Sequence, residues 1–580
     1  MIQTRFVVVA LLCGCAQTKA ASEPSDPTPD LSGVWFGAFS SGNSHQGDVV
    51  VRKDARGAWS AGYRGERVRL EDWNGWLEGR FDAATLRVRA KGDRLEGHWI
   101  QTRLTTTGQP FATPLRLTAV EAGVFRGAVH GLPDHLRFYV VLSPQDDGYA
   151  VVLRNPEQNL GVRYRADHVM VDGETLVFTN ASASAFTAKL VGDTFHAELG
   201  DYAVTFTRVP SDDPRLAGFH LRPPNAGAYR YQVPTKTDDG WATGAAPNPA
   251  AAEALVNELS NASCTRDTFG LCPHAVVVAH RGRLVLESYF AGYDRDTPHD
   301  TRSAGKSWAT TAVGAAVDRG QLTVEAPLEA VLSGYVPFDE DDARKKAITV
   351  AHLLTMSAGF ACDDNDPDSP GQEGNLNPSD AGHDFARFIV DLPMARHPGE
   401  RAVYCSSGMY LLSPVLEAST NAWSVAVLDK WLLRPLGITH FHLNLSPDLR
   451  AYFGGGIHLR PRDMAKLGQV FVDDGRWNGA QVVSRAWVAA ASRPRARINA
   501  EDADDYGYGW WVRDYAIGEE RVRAVYASGN GGQLIVAVPA RQLVVVFTGG
   551  NYMNYGTWRA YMDDVFPRLV LPAFEAPPAQ

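Results

Sequence analysis

No stretch of this 580-residue chain reaches 18 consecutive apolar residues, so no segment is long enough to cross a bilayer as a helix. Neither sign of charge forms a long run, and the net charge is -10. A nucleic-acid partner would need a basic patch, and the sequence offers none. Lysine is scarce, 10 residues against 46 arginines, which makes each lysine worth noticing. Cysteine is scarce too. Beyond Cys13 and Cys15 there are only Cys264, Cys272, Cys362 and Cys405. What remains is a chain of ordinary globular composition, too long for one core, with room for two to four domains.

The N-terminus reads "MIQTRFVVVALLCGCAQTKA". One positive charge, Arg5, precedes a short apolar run from Phe6 to Leu12. That is the layout of a secretory signal, expected over residues 1–21. Its end, Leu12-Cys13-Gly14-Cys15, resembles a bacterial lipobox, in which Cys15 would carry a lipid and tether the protein to a membrane. The expected location is therefore periplasmic and membrane-anchored, with simple cleavage near Ala20-Ala21 as the alternative. Export makes disulfides available. Cys264 and Cys272 enclose a short loop and are expected to pair, leaving Cys362 with Cys405.

A polar, Pro-rich tether, 22–30, leads into a long period-two region over 31–209. Segments such as "TLRVRAKGDRLEGHW" and "HVMVDGETLVFT" alternate apolar and polar residues. Gly92-Asp93, Asp172-Gly173 and Gly192-Asp193 sit where hairpin turns belong. This predicts an all-β barrel or sandwich, and "LSGVWFGAF" resembles the opening of lipocalin-like barrels. A connector, 210–248, follows. From 249 to 575 the pattern is a helix, two strands hinged on Arg281-Gly282, broken helical segments, then strands again and a last helix over about 555–568. Strands at both ends with helices between predict one antiparallel sheet flanked by helices, an α+β domain.

Chemistry can be sought only in this second half. Ser303 and Lys306 form the single S-x-x-K spacing in the chain. Three residues apart on a helix, they share a face. A serine hydroxyl needs a base to take its proton, and lysine can serve only when neutral, so its pKa is expected to fall well below ~10.4. The helix N-terminus also offers the Ser303 N–H to an oxyanion. Gly305-Lys306-Ser307 resembles the end of a P-loop, but Asp300 stands where the cradling glycine is needed, so nucleotide binding is excluded. His440-Phe441-His442 has zinc-pair spacing with no carboxylate near, and reads as polar residues on a strand. Tyr404-Cys405-Ser406 follows a Pro-Gly turn and could relay a proton. Gly529-Asn530-Gly531-Gly532-Gln533 precedes a strand and would let a substrate approach the backbone closely.

These three motifs, in this order, resemble the serine β-lactamase and penicillin-binding-protein superfamily, nearest to its class C β-lactamase-related branch. The likeness covers about 225–570 and includes "SAGKSWATTAVGAAVDRGQLTVEAPL", "PGERAVYCSSG", "GGGIHLRPRDMAKLGQVFVDDGRWNG" and "ASGNGGQ". It implies a β-lactamase-like catalytic domain with a mostly helical subdomain. Ser303 would be the acylated nucleophile, Lys306 its base partner and Tyr404 the first place of Tyr-x-Asn. Ser406 stands where that motif has asparagine. Asn530, Gly531 and Gly532 fall where Lys-Thr-Gly or His-x-Gly is expected, and Gln533 would give the second oxyanion N–H. The departures at Ser406 and Asn530 bear on substrate binding; if a cation is supplied from elsewhere, Arg541 and Arg559 are the candidates.

The resemblance implies an exported serine hydrolase acting through an acyl-enzyme on an ester, a D-amino-acid peptide or amide, or a β-lactam. It implies no metal and no cofactor. The alternative from another class is a catalytically weak sensor of cell-wall fragments.

Overall fold

Short alternating strands joined by two-residue turns must pair with their neighbours, and between Gly33 and Val209 they do so in two closed rings. The computed structural model describes residues 30–574 apart from 41–43, 102–108, 181–183, 224, 263, 265–269, 339–341, 378–379, 381, 500 and 502. The expected signal over 1–21, Cys15 and the tether up to residue 29 lie outside the described residues.

The outer barrel has eight strands. Its first, Gly33–Ser40, pairs with His135–Gln145 on one side and Tyr202–Val209 on the other, which closes the ring. The interior is filled rather than hollow. Trp35, Phe138, Phe178, Phe195 and Phe206 are all buried there, and Phe195 stacks on Phe206 at 4.5 Å. Between its first and second strands the chain makes another barrel. Eight strands from Gly47–Lys53 to Val124–Val129 close because the last pairs with both Gly47–Lys53 and Phe111–Glu121. Val49, Val51, Phe81, Trp99 and Leu117 fill this inserted barrel. The 31–209 region is thus two nested all-β units. Sequence periodicity is the same in both, so it shows strands without showing that one ring interrupts the other.

The second half is α+β, as expected. Its eight-stranded sheet is antiparallel except where Ala242–Thr243 pairs parallel with Arg283–Tyr289. The Pro273–His280 and Arg283–Tyr289 hairpin turns on Arg281 and Gly282, both with positive φ, the twist a two-residue loop needs. Against the sheet lies the helix Gly305–Asp318, apolar nearly all round and buried over twelve consecutive positions. The connector is pinned by Arg462, which is ion-paired to Asp239 at 3.0 Å and to Glu287 at 2.7 Å.

One seam joins the halves. Strand Phe111–Glu121 of the inserted barrel pairs with His442–Asn444, which pairs with Ile457–Leu459, which pairs with His299–Asp300. A backbone ladder therefore runs from a barrel to a point three residues before Ser303. His442 sits in this seam, hydrogen-bonded to Thr113 at 2.8 Å, and burial pushes its imidazole well below its ordinary pKa. Its neutral ring serves the interface. The inserted barrel also seats Trp73 and Trp76 edge-on against Trp423 of the helical subdomain.

Candidate active site

Ser303 lies in a single 3-10 turn, Arg302–Ala304, that runs straight into the helix Gly305–Asp318. The residue before it, Arg302, is in the left-handed region at φ 48°. A non-glycine residue there costs about 1–3 kcal/mol and persists only when its surroundings hold it. Asp300 does so twice: its Oδ1 accepts from the Arg302 backbone N–H at 2.9 Å, and its Oδ2 pairs with the guanidinium at 2.9 Å. The Gly456 N–H closes the other side by donating to the Arg302 carbonyl at 3.1 Å. Gly455 has to be glycine: a β-carbon there would lie 2.8 Å from the Arg302 carbonyl oxygen and 3.2 Å from the Ser303 nitrogen.

Lys306 is one turn further on and 2% exposed. Its Nζ donates to Ser303 Oγ at 2.9 Å and to the Gly454 carbonyl, and sits 5.0 Å from the centre of the Tyr404 ring. The three groups named from the sequence are therefore together. The expected depression of Lys306 is not found. Burial does push its pKa down, but Tyr404, Glu373 and Asp364 outweigh that and hold it above its ordinary value. At rest Lys306 is an ammonium that donates to Ser303.

Tyr404 is positioned by a disulfide and a stacked ring. Cys405 is joined to Cys362 across a Cα separation of 5.5 Å, and Cys264 to Cys272 across 4.7 Å, the two pairs expected. The Cys362–Cys405 bridge brings the loop after Phe360 against the Tyr404 segment. There the Asp364 N–H donates to the Tyr404 carbonyl at 2.9 Å, and Asp364 Oδ2 accepts from the Ser406 N–H at 2.7 Å. The Tyr404 ring lies nearly parallel to Trp511, with centroids 6.2 Å apart. Ser406 itself is fully buried, and the group of it that Asp364 holds is its backbone N–H.

The carboxylates Asp364 and Glu373 belong to the site although nothing singled them out in the sequence. Asp364 Oδ1 accepts from the Glu373 N–H at 3.0 Å, and Glu373 Oε1 accepts from the Tyr452 hydroxyl at 2.6 Å. Burial and the neighbouring Glu373 raise the Asp364 pKa, against the pull of Lys306 and the Ser406 bonds. They lie in the run "CDDNDPDSPGQEG", which reads as a polar loop; only its proximity to a cysteine that must reach Cys405 could have placed it near Tyr404.

The third motif lies at a hairpin end. Strand Glu520–Gly529 pairs with Trp511–Ile517 only up to Tyr526, so Ala527–Gly529 run on beyond that partner and offer a backbone edge. That end reaches the turn that carries Ser303: a β-carbon on Gly529 would lie 2.2 Å from the Thr301 carbonyl oxygen and 3.1 Å from the Ala304 nitrogen. Gly531 and Gly532 make the reversal into Gln533–Val538. Asn530 Oδ1 accepts from the Met553 N–H at 2.8 Å, so the side chain holds a neighbouring turn. Gln533 is 1% exposed, and its amide bonds to the Gly549 backbone in both directions and to the Asn530 carbonyl. Gln533 is a clamp inside the hairpin. Gly529 packs on the turn that carries Ser303, and antiparallel register sets the Gln533 backbone directly opposite it on the next strand. Arg541 is paired with Glu520 at 2.5 Å, and Arg559 with Asp563 at 3.2 Å and Asp504 at 3.4 Å. Neither is a spare cation for the pocket. Among the described residues no three His, Cys, Asp or Glu side chains are grouped to hold a metal ion.

Comparison with known proteins gives a consistent likeness. Residues 273–554 match the model of the family described as Beta-lactamase. A 6-aminohexanoate-dimer hydrolase of Paenarthrobacter ureafaciens is 25% identical over 293 residues, 47% of this chain and 72% of that one. Penicillin-binding protein 4 of Amycolatopsis lactamdurans is 25% identical over 347 residues, covering 52% and 84%. Among solved structures, a putative 6-aminohexanoate-dimer hydrolase from Bacillus anthracis superimposes with a TM-score of 0.46 at 17% identity, over 61% of this chain and 95% of that one.

Proposed function

Residues 273–554 make this chain a serine hydrolase of the β-lactamase and penicillin-binding-protein superfamily, and on that premise we propose that it cleaves small neutral or cationic esters or amides in preference to carboxylate-bearing β-lactams. The observation that carries this reading is the charge of the pocket. Asp364 and Glu373 stand beside Lys306, Asn530 is neutral, and Arg541 and Arg559 are committed to other carboxylates. A substrate carboxylate would meet repulsion from Asp364 and Glu373.

In the proposed mechanism Lys306 and Tyr404 act together on the Ser303 proton once Lys306 has given up its own extra proton to solvent. The neighbouring carboxylates favour the ammonium, so the neutral amine that can serve as base is the minor form near neutral pH. The Ser303 proton passes to this pair as Oγ bonds to the substrate carbonyl carbon. The oxyanion is met by the Ser303 N–H and the backbone edge at Gly529–Asn530. The pair returns the proton to the departing alcohol or amine as its bond to carbon breaks. Water then repeats the sequence on the acyl-enzyme, and Ser303 leaves with its proton restored.

Two expected results follow from this pocket. A panel of chromogenic neutral esters, D-amino-acid anilides and a chromogenic cephalosporin should show fastest turnover of the neutral compounds. Asn530→Lys should shift selectivity toward a carboxylate-bearing substrate, relative to its neutral ester analogue, by about tenfold, the effect of one charge-assisted hydrogen bond of about 1.5–3 kcal/mol after partial loss to the solvent. A wild type that already prefers the carboxylate-bearing partner by that margin rejects the reading. The second result concerns pH. Because Glu373 helps hold the proton on Lys306, the rising limb of the kcat/KM profile should move to lower pH in Glu373→Gln, which keeps an acceptor for Tyr452. A profile that stays in place, or moves to higher pH, shows that Glu373 does not govern the pair.

A second reading has one observation in its favour. With Lys306 held as an ammonium, acylation could be slow enough for the protein to act as a sensor of cell-wall fragments; stable acylation without turnover on the same panel would mark it. We further propose export and a lipid tether at Cys15, which the disulfides support as features of an oxidising compartment.

A further inference from the structure

Behind the nucleophile turn lies a second cavity, of about 190 Å³, walled by both halves of the molecule. The outer barrel contributes His135, Arg137 and Glu157; the hydrolase half contributes Asp300, Arg302, His458 and Tyr552. We propose that this cavity is a ligand site for a small hydroxy carboxylate, distinct from the pocket in front of Ser303, and that its occupant acts on turnover through Arg302.

The inventory of free groups argues for that chemistry. Arg137 donates through Nε to Glu157 Oε1 at 2.5 Å, and Arg302 is paired through Nε with Asp300 at 2.9 Å. Each guanidinium has five N–H donors, so each pairing leaves terminal donors over. The carboxylates are better filled. Glu157 accepts from the Arg137 backbone and side chain and from Asn155, while Asp300 accepts from the Arg302 backbone N–H and is ion-paired with its guanidinium. The wall thus has donors to spare from two arginines, the arrangement that receives a carboxylate. One acceptor is also unused. His458 is 7% exposed and its Nδ1 has no partner. A hydroxyl beside the ligand carboxylate would give that nitrogen a donor. Burial and Arg302 act to keep the His458 ring neutral, although Asp300 opposes them.

The coupling to turnover follows from position. Arg302 is at once a wall of the cavity and the left-handed residue whose backbone presents Ser303. A ligand that draws its guanidinium from Asp300 loosens one of the bonds holding that backbone. Polar sites shared by two domains are common places for small ligands.

The test is calorimetric titration of the full-length protein with lactate, 3-hydroxybutyrate and malate, and with lactamide as the neutral control. At least one hydroxy carboxylate should bind saturably, with lactamide about tenfold weaker or worse. Arg137→Gln should weaken that binding about tenfold. Glu157→Gln frees Arg137 and should tighten it, an opposite sign that general damage to the fold would not produce and that remains informative if Arg137→Gln fails to fold. In steady-state assays the carboxylate should change kcat for a neutral ester without competing with it. The proposal is overturned if none of the three carboxylates binds, if lactamide binds equally well, if Glu157→Gln does not tighten binding, or if the carboxylate is simply competitive and so occupies the Ser303 pocket. Binding is read independently of hydrolysis, so it stands or falls apart from the substrate preference.

Discussion

Replacing Ser303 by alanine is expected to lower kcat by about ten-thousand-fold or more, the loss seen when the nucleophile of a cooperating set is removed. Labelling by a serine-directed fluorophosphonate should disappear with it. The fold should be indifferent, because the side chain that is lost bonds only to Lys306 Nζ, which retains the Gly454 carbonyl. A change in stability within about 1 kcal/mol is expected for one partly exposed hydrogen bond. Lys306→Ala should lose comparable activity, since it removes the amine bonded to Ser303 Oγ, and it should also destabilise the protein by opening a buried cavity. Intact-mass measurement after labelling decides the matter. Labelled Ser303→Ala with surviving turnover would move the nucleophile to another residue.

The next largest effect is expected at Gly529. A methyl group there would sit 2.2 Å from the Thr301 carbonyl oxygen and 3.1 Å from the Ala304 nitrogen. Both are backbone atoms flanking the nucleophile turn, and neither can rotate aside as a side chain would. Gly529→Ala must therefore push strand Glu520–Gly529 about an ångström from Ser303. Misplacement of that size in a catalytic arrangement costs on the order of 10²-fold in rate, with about 1–3 kcal/mol of stability from overpacking. Gly62→Ala in the inserted barrel is the control, since a β-carbon there meets nothing closer than 3.7 Å. If Gly529→Ala and Gly62→Ala have equal kcat/KM, the close approach of this strand does not set the oxyanion geometry.

The features readable in the sequence were local ones. Ser303 and Lys306 are three residues apart, so one turn of helix brings them together wherever the rest of the chain goes. Hairpins at Gly92 and Gly192 are likewise set by a residue that accepts positive φ within a few positions of its partners. What stayed hidden depends on partners far away in the chain. Lys306 was expected to be neutral because a lysine base must be unprotonated; its ammonium is favoured by Tyr404, Glu373 and Asp364, the last two from a loop about 60–70 residues later that the disulfide helps to bring near. Gln533 was placed at the oxyanion because it follows the glycines; its side chain, which clamps the hairpin through the Gly549 backbone, was not foreseen. The family resemblance could point to a third motif without saying which of its backbone groups faces the serine.

The nesting of one barrel within another has a bearing on how the chain is made. Strand Gly33–Ser40 leaves the ribosome first, yet its second partner, Tyr202–Val209, arrives last; Thr207 bonds back to Phe36 across 171 residues. Meanwhile the strands from Gly47 to Val129 have every partner they need within one contiguous stretch. The inserted ring can thus close while its host is still an open ribbon with a bare edge, a state in which such ribbons pair wrongly with one another. The seam to the hydrolase waits longer, for Thr113 meets His442 only after another 329 residues have been added. During synthesis the nucleophile turn therefore emerges well before the ladder that braces it, and the catalytic half is completed against a barrel already standing.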